Sequence, residues 1–247
     1  MLKKISCMIK QTRIKQLTRS QAIFYHLYPG IIIVLSFVVL TPILISHHYP
    51  PQLSILVSII LVAIPLFISH LNWARKKEAS KSLWQLNGYK NKLRTDKLIL
   101  YSLALVMFMY LVWGVTAPLN KIISDKLLAW LPDWFTVQGF TDYGRDIIVV
   151  TLIVNLVVNG LVAPFFEEFY FRGYLLPRMA RWGKWAFVVN AILFSFYHFW
   201  QPYIYLTLIL SLLPMTWLVW KTRDLRLAIL THCLLNIVGA LLSFGLS

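Results

Sequence analysis

Long apolar runs alternate with polar or basic connections along this chain, and each run is close to 20 residues long. A helix needs about 20 predominantly apolar residues to cross the hydrocarbon core of a bilayer. The pattern predicts membrane helices over residues 29–46, 53–72, 98–118, 146–166, 184–200, 203–220 and 225–244. We therefore expect an all-α fold, a polytopic membrane bundle of about seven transmembrane helices with additional interfacial amphipathic helices.

Two stretches outside these runs have an amphipathic pattern. Residues 1–28 are basic with scattered apolar positions, which predicts a basic interfacial segment. From Leu119 to Leu131 apolar residues recur at helical spacing and Pro132 follows, which predicts a helix on the outer membrane face. We divide the single integral membrane domain into 1–28, an N-terminal helical part over 29–145, and a C-terminal core over 146–247.

The charge distribution narrows the class of protein and predicts its orientation. The chain is 59% hydrophobic, only 13% charged, and carries a net charge of +15. In a soluble protein this charge would favour nucleic acid, but here the basic residues lie between apolar runs, so we expect membrane lipid and no nucleic acid as partner. Connections that are rich in Lys and Arg alternate with connections that are poor in them. The segment before residue 29 contains six such residues, the connection 47–52 contains none and the connection 73–97 contains eight. The positive-inside rule then predicts a multi-pass protein of the cell membrane with a cytoplasmic N-terminus.

Two adjacent glutamates end the fourth apolar run, although the whole chain contains only three. Ionisable groups at membrane depth are costly and usually functional. Glu168 and Arg172 are four residues apart, with the acidic residue first, which favours an ion pair on one helix face. Glu167 points about 100° away from that face. The spacing thus predicts one structural glutamate, Glu168, and one free for chemistry, Glu167.

Two further polar groups interrupt apolar helices in the C-terminal half. His198 ends the sequence Phe-Ser-Phe-Tyr-His, and His232 and Asn236 share a helix face because they are four residues apart. Each has a structural interpretation: a histidine can be a hydrogen-bonded packing residue, an asparagine can join helices, and Glu168–Arg172 can be a structural ion pair. The combination on three helices favours a functional site.

Two kinds of site fit this set of side chains. A carboxylate beside imidazoles can hold and deprotonate a water for peptide hydrolysis, while an amide and an imidazole donate to the oxyanion. One glutamate and two histidines also match a catalytic zinc site with an open position for water, with Glu167, His198 and His232 as ligands. The sequence leaves both alternatives open, so a divalent metal such as zinc is the candidate cofactor.

These motifs in this order resemble those of the CAAX protease and bacteriocin-processing family of intramembrane endopeptidases, also called the Abi family. The resemblance covers roughly residues 146–244 and implies Glu167 as the base that activates water, with His198 helping to hold it. It implies His232 and Asn236 as the groups that stabilise the oxyanion, and Arg172 as the partner of Glu168. For His198 to meet Glu167, the fourth helix must continue past residue 172 toward about 180, and Arg172 must be buried.

The resemblance to short, basic bacterial members favours an endopeptidase that contributes to bacteriocin self-immunity or processing. Its expected partners are a hydrophobic or membrane-delivered peptide substrate, and a bacteriocin or its receptor. A non-catalytic immunity or scaffold protein that binds a bacteriocin–receptor complex is the alternative. A transporter also places glutamate and histidine at membrane depth, but it would more typically show internal repeats and broken helices.

Overall fold

The computed structural model describes residues 14–136 and 143–245, and every regular element within these ranges is a helix. The expectations placed on residues 1–13 lie outside the described part of the chain. We number the seven long elements in chain order. They are α1 (Arg19–Ser46), α2 (Pro51–Lys77), α3 (Thr95–Leu127), α4 (Arg145–Arg178), α5 (Ala186–Tyr197), α6 (Tyr205–Thr222) and α7 (Leu225–Gly245).

Six of these helices are long and apolar enough to cross a membrane: α1, α2, α3, α4, α6 and α7. Their exposed faces carry large apolar side chains such as Leu35, Leu61, Met107 and Val150, as expected where a helix meets lipid. The predicted all-α polytopic bundle is confirmed. Helix α1 runs without interruption across residues 28 and 29, so the described end of the predicted interfacial segment is continuous with the first span.

The fifth predicted span differs from the prediction. Helix α5 has 12 residues, which gives about 18 Å of helix against a hydrocarbon core of about 30 Å. The residues before it, Ala180–Trp185, form 3₁₀ turns around Gly183, whose φ of 54° an α-helix does not contain. Helix α5 therefore packs within the bundle, against α1 and α6.

The predicted surface helix after the third span also differs. Helix α3 continues as α-helix to Ile122 and then as a π-helical turn to Leu127, so the amphipathic stretch is the end of the third membrane helix. Asn120 is buried in the bundle, where its Oδ1 atom accepts a hydrogen bond from Thr207 of α6 at 2.9 Å.

Helix α4 continues to Arg178, as the motif resemblance required, and Arg172 is fully buried. Two π-helical segments, Val158–Val162 and Phe169–Leu175, flank a short α-helical segment, Ala163–Glu168. Pro164 has no backbone N–H, so the regular hydrogen-bond ladder cannot pass through this part of the helix. π-helical turns inside α-helices frequently mark functional sites.

Aromatic side chains fill the space between α2, α4 and α5. Phe171 of α4 lies 4.8 Å from Phe194 and 4.9 Å from Tyr197, measured between ring centroids, and Phe67 of α2 lies 4.8 Å from Tyr170. These rings are almost completely buried. We call these rings the aromatic floor, of which Tyr197 contacts Glu167 and Phe194 contacts Arg172.

The connection between α2 and α3 ties down the end of α4. Arg178 donates two hydrogen bonds to the Glu78 carboxylate, at 3.0 and 2.7 Å, and the backbone N–H of Gly88 donates to the carbonyl of Gly173. Asp224, just before α7, accepts from the backbone N–H of Leu93 at 2.7 Å. The connection therefore joins α4, which carries Glu167, Glu168 and Arg172, to α7, which carries His232 and Asn236.

Candidate active site

Buried polar side chains from α4 and α7 meet above the aromatic floor. Glu167 and Glu168 lie on the short α-helical segment of α4 between its two π-helical segments. His232 lies near the middle of α7 and faces them. Arg172 and Glu168 are completely buried, while Glu167 and His232 keep 6% and 8% of their surface exposed.

Glu168 is the central acceptor of this cluster. Its Oε1 atom accepts a hydrogen bond from Arg172 Nη1 at 3.0 Å, and His232 Nδ1 lies 2.9 Å from the same oxygen. The guanidinium of Arg172 also lies 3.9 Å from the ring centroid of Phe194. The predicted ion pair between Glu168 and Arg172 is present, and it reaches a third residue that the helix spacing did not reveal.

Glu167 is held differently. Its Oε1 atom accepts a hydrogen bond from the Tyr197 hydroxyl at 3.1 Å, and its Oε2 atom lies 3.9 Å from His232 Nε2. Glu167 is therefore the carboxylate outside the Arg172 ion pair, as the face argument predicted. His232 stands between the two glutamates, with one ring nitrogen toward each.

The contact with Glu168 fixes the tautomer of His232. A carboxylate paired with arginine only accepts hydrogen bonds, so the Nδ1 atom of His232 carries a proton and donates it to Glu168. In the neutral ring the Nε2 atom is then a free acceptor, and in the charged ring it is a donor. The 3.9 Å between Nε2 and the Glu167 carboxylate is too long for a direct hydrogen bond, and a water lying to one side could hydrogen-bond to both atoms. The arrangement can hold a water between a carboxylate and an imidazole and can move a proton at either position.

His198 lies beside this cluster, at the end of α5. Its Nδ1 atom lies 2.9 Å from the carbonyl oxygen of Phe194, and its ring packs on Tyr197 and Trp200. The His198 and His232 rings both pack on Phe194, while no hydrogen bond or ion pair joins His198 to Glu167 within the described ranges. It reaches the cluster through its neighbour Tyr197, whose hydroxyl contacts Glu167.

Asn236 lies one turn along α7 from His232, and its amide has a structural partner. Its Nδ2 atom donates to the backbone carbonyl of Asn159 at 2.8 Å. In the π-helical turn the N–H of Ala163 bonds to Val158, and the next donor in the series would be residue 164, which is proline. The Asn159 carbonyl lacks that backbone partner, and Asn236 supplies the missing donor.

The described residues contain no group of three or more His, Cys, Asp and Glu side chains arranged to hold a metal ion. Glu167 and His232 come close to each other. The Nδ1 atoms of His232 and His198 are paired with Glu168 and with a carbonyl oxygen, as is usual for metal-bound histidines, so each ring could offer only its Nε2 atom to a metal. The side chains as they stand do not form the predicted three-ligand site. The metal set of Glu167, His198 and His232 stays a prediction.

Tyr197 is the contact of this site that the sequence interpretation missed. It stands directly before His198 in an apolar helix, and a buried tyrosine hydroxyl needs a hydrogen-bond partner. The sequence could therefore predict that Tyr197 has a hydrogen-bond partner. It could not predict which partner, because that depends on how α5 packs against α4.

Residues 149–238 match the family model described as type II CAAX prenyl endopeptidase Rce1-like. This range contains all six motif residues, from Glu167 to Asn236, together with Tyr197 and Asn159. No curated protein and no solved structure matches the chain. The resemblance to the CAAX proteases is thereby confirmed for the helices that carry the polar cluster, and the family indicates that this multi-pass membrane protein is an intramembrane endopeptidase.

Proposed function

We propose that the protein hydrolyses a peptide bond in a hydrophobic or membrane-delivered peptide or protein, with a water activated by Glu167, and so contributes to bacteriocin self-immunity or processing. The observation that carries the proposal is that Glu167 Oε2 and His232 Nε2 lie 3.9 Å apart, close enough for one water beside them to hydrogen-bond to both. Residues 146–247 would be the catalytic core.

The buried charges support this arrangement. Of the two adjacent carboxylates, only Glu168 is bound to the Arg172 guanidinium, and Glu167 has no arginine partner among the described residues. The remaining carboxylate and the His232 ring can exchange a proton between them through the water. A general base of this kind typically contributes about 10²- to 10⁴-fold to the rate.

The chemical steps follow from these positions. The water oxygen attacks the peptide carbonyl carbon as one of its protons passes to Glu167, and a tetrahedral oxyanion forms. The carbon–nitrogen bond then breaks, the electron pair returns to the carbonyl, and the proton moves from Glu167 to the leaving amine. His198, and Asn236 once it is released from Asn159, would donate to the water or the oxyanion.

His232 has two tasks in this scheme. Its Nδ1 contact with Glu168 fixes the direction of the ring, and Nε2 faces the water position. In the charged form Nε2–H would also donate to the oxyanion, which is the role that the family resemblance implies. Glu168 and Arg172 would orient His232 without contacting the substrate.

The orientation is part of the proposal. The N-terminus lies in the cytoplasm of a bacterial cell and the partners are lipid, a peptide substrate and a bacteriocin or its receptor. The positive-inside pattern of the connections supports the orientation.

Two assays at matched membrane levels test the function. The first measures the bacteriocin sensitivity of a susceptible Gram-positive host that expresses wild type, Glu167→Ala, His198→Ala or His232→Ala, with the exposed His47→Gln as control. The second measures cleavage of a farnesylated CAAX peptide and of its unprenylated form by the purified variants in detergent.

Protection by wild type and His47→Gln that is lost in the three site variants is the expected result. Peptide cleavage should fall by at least about 10²-fold in Glu167→Ala. Protection that survives in Glu167→Ala would mean that binding, not hydrolysis, protects the cell. Cleavage without protection would support the protease and contradict the immunity role. If wild type shows no cleavage and no protection, both parts of the proposal are contradicted.

A further inference from the structure

Tyr197 donates the only hydrogen bond to the Oε1 atom of Glu167 among the described residues. Its hydroxyl donates to this oxygen at 3.1 Å, and the whole side chain is buried. A hydrogen bond to an ionised acceptor is about twice as strong as one between neutral groups. Tyr197 is therefore the group that anchors one of the two carboxylate oxygens.

The tyrosine itself is rigidly held. Its ring centroid lies 4.9 Å from that of Phe171 and 5.2 Å from that of Trp200. Its backbone lies against α1 at Gly30, where a Cβ atom would clash with the Tyr197 carbonyl oxygen. Only glycine permits this close approach. Ring and backbone are thus fixed by two separate contacts, so the hydroxyl has a defined position.

The anchoring of Oε1 also sets the direction of the second carboxylate oxygen of Glu167, Oε2. The last torsion of a glutamate side chain is broad and roughly two-fold, so an unanchored carboxylate would rotate freely. With Oε1 held by Tyr197, Oε2 is directed toward His232 Nε2. We propose that Tyr197 is a positioning residue that aims the free oxygen of Glu167 at the water between Glu167 and His232. This inference rests on the proposed hydrolytic function.

The chain offers a matched control in Tyr170. Tyr170 is also fully buried and also packs on Phe67 and Phe171, but its hydroxyl binds the Tyr25 carbonyl and His70, away from Glu167. Both Tyr197→Phe and Tyr170→Phe remove one buried hydroxyl and keep the ring. A loss that follows from burial alone would affect both variants, whereas a loss of carboxylate positioning would affect only Tyr197→Phe.

The kinetic test uses the farnesylated CAAX peptide as probe. We expect Tyr197→Phe to lower kcat by about 10-fold with KM within about twofold, because the hydroxyl acts on the reacting water and not on substrate binding. Tyr170→Phe should keep kcat within about twofold. Thermal unfolding in detergent, followed by tryptophan fluorescence, should place Tyr197→Phe no lower than Tyr170→Phe. Equal kcat values for the two variants would overturn the inference.

A second measurement needs no substrate. A carboxyl oxygen adds to the central carbon of dicyclohexylcarbodiimide, the acyl group then migrates from oxygen to nitrogen, and mass spectrometry locates the stable N-acylurea. We expect faster labelling at Glu167 in Tyr197→Phe than in wild type and Tyr170→Phe, since the hydroxyl no longer occupies Oε1. The same labelling rate in all three proteins would count against the positioning role.

The Glu167→Gln variant separates this inference from the function on which it rests. Peptide cleavage that persists in Glu167→Gln would remove the proposed mechanism as a whole. Cleavage lost in Glu167→Gln but unchanged in Tyr197→Phe would keep the mechanism and remove only the role of Tyr197.

Discussion

The Glu168 carboxylate lies 2.9 Å from His232 Nδ1, a contact that joins α4 to α7 across 64 residues of sequence. The same oxygen binds Arg172, so a single buried atom connects the ion pair within α4 to the imidazole that faces Glu167. Glu168 therefore has two roles that can be tested separately: it pairs the charge of Arg172, which affects stability, and it orients the His232 ring.

Glu168→Gln should destabilise the protein and abolish cleavage. Arg172 is completely buried and would be left as an unpaired charge, which typically costs about 3–5 kcal/mol. A glutamine can also present its amide nitrogen to His232 Nδ1, which would favour the wrong tautomer. We expect peptide cleavage to fall by at least about 10²-fold, measured beside thermal unfolding in detergent.

A double-mutant cycle checks the stability part of this expectation. In the Arg172→Met background the buried charge is absent, so Glu168→Gln should cost less unfolding free energy than in wild type. The exposed pair of Lys121 and Asp125 has the same four-residue spacing and serves as control, with little change expected in Asp125→Asn. If the losses of unfolding free energy in the two single variants add up in the double variant, the burial of the Arg172 charge does not depend on Glu168.

Asn236→Ala should lower stability because it leaves the Asn159 carbonyl without a donor. An unsatisfied polar group costs about 1–3 kcal/mol when it is fully buried. The Asn159 carbonyl is partly buried, so the cost should fall toward the lower end of this range. Pro164→Ala restores a backbone N–H at the position that the π-helical turn directs to Asn159. Asn236→Ala should therefore cost less in the Pro164→Ala background, as measured by thermal unfolding.

Cleavage by the same variants distinguishes two roles of Asn236. If its amide donates to the oxyanion, the double variant stays inactive although its stability has recovered. Cleavage that recovers together with stability would assign Asn236 to the joint between α4 and α7 alone. A cost of Asn236→Ala that is the same in both backgrounds would contradict the assignment of Pro164 as the cause of the missing donor.

Asp224 should make stability depend on acidic pH. Burial raises its pKa, but hydrogen bonds from the Arg226 side chain and from the backbone N–H groups of Leu93 and Arg226 outweigh burial, so the pKa lies below its usual value of 3.8. A carboxyl with a lowered folded-state pKa stabilises the protein fully above its unfolded pKa, and this contribution is lost as the pH falls through the folded value. Wild type should therefore exceed Asp224→Asn in unfolding temperature by a constant margin from about pH 7 to 5.

That margin should shrink once the pH falls below 3.8. Thermal unfolding of the two proteins across the range measures it. The exposed Asp96, which pairs with Arg94 at the surface, provides a control variant, Asp96→Asn, with no comparable margin. A difference between wild type and Asp224→Asn that persists undiminished at the lowest pH would contradict the expectation.

Local patterns in the sequence were sufficient for the class of fold and for part of the site. Apolar runs predicted the helical membrane bundle, and the four-residue spacing predicted the pair of Glu168 and Arg172 because both residues lie on one helix. The same spacing correctly separated Glu167 from that pair. The extension of α4 past Arg172 also followed, since the motif residues could meet only if the helix continued.

The sequence predicted the ends of the helices less well than their existence. Residues 184–200 read as a full span, whereas α5 begins at Ala186 and ends at Tyr197, because the 3₁₀ turns around Gly183 and the turn at His198 are not apparent in hydrophobicity. The stretch after Pro118 read as a separate surface helix, although Asn120 is held inside the bundle by Thr207.

The sequence by itself determined which residues are polar within the membrane helices and which of them share a helix face, since both follow from order along the chain and the helical repeat. Only the tertiary structure decided that Tyr197 anchors Glu167, that His232 stands between two glutamates, and that Asn236 serves the carbonyl freed by Pro164. These partners are separated by 30, 64 and 77 residues. Contacts over such distances depend on how whole helices pack, and helical spacing carries no information about which helix lies opposite.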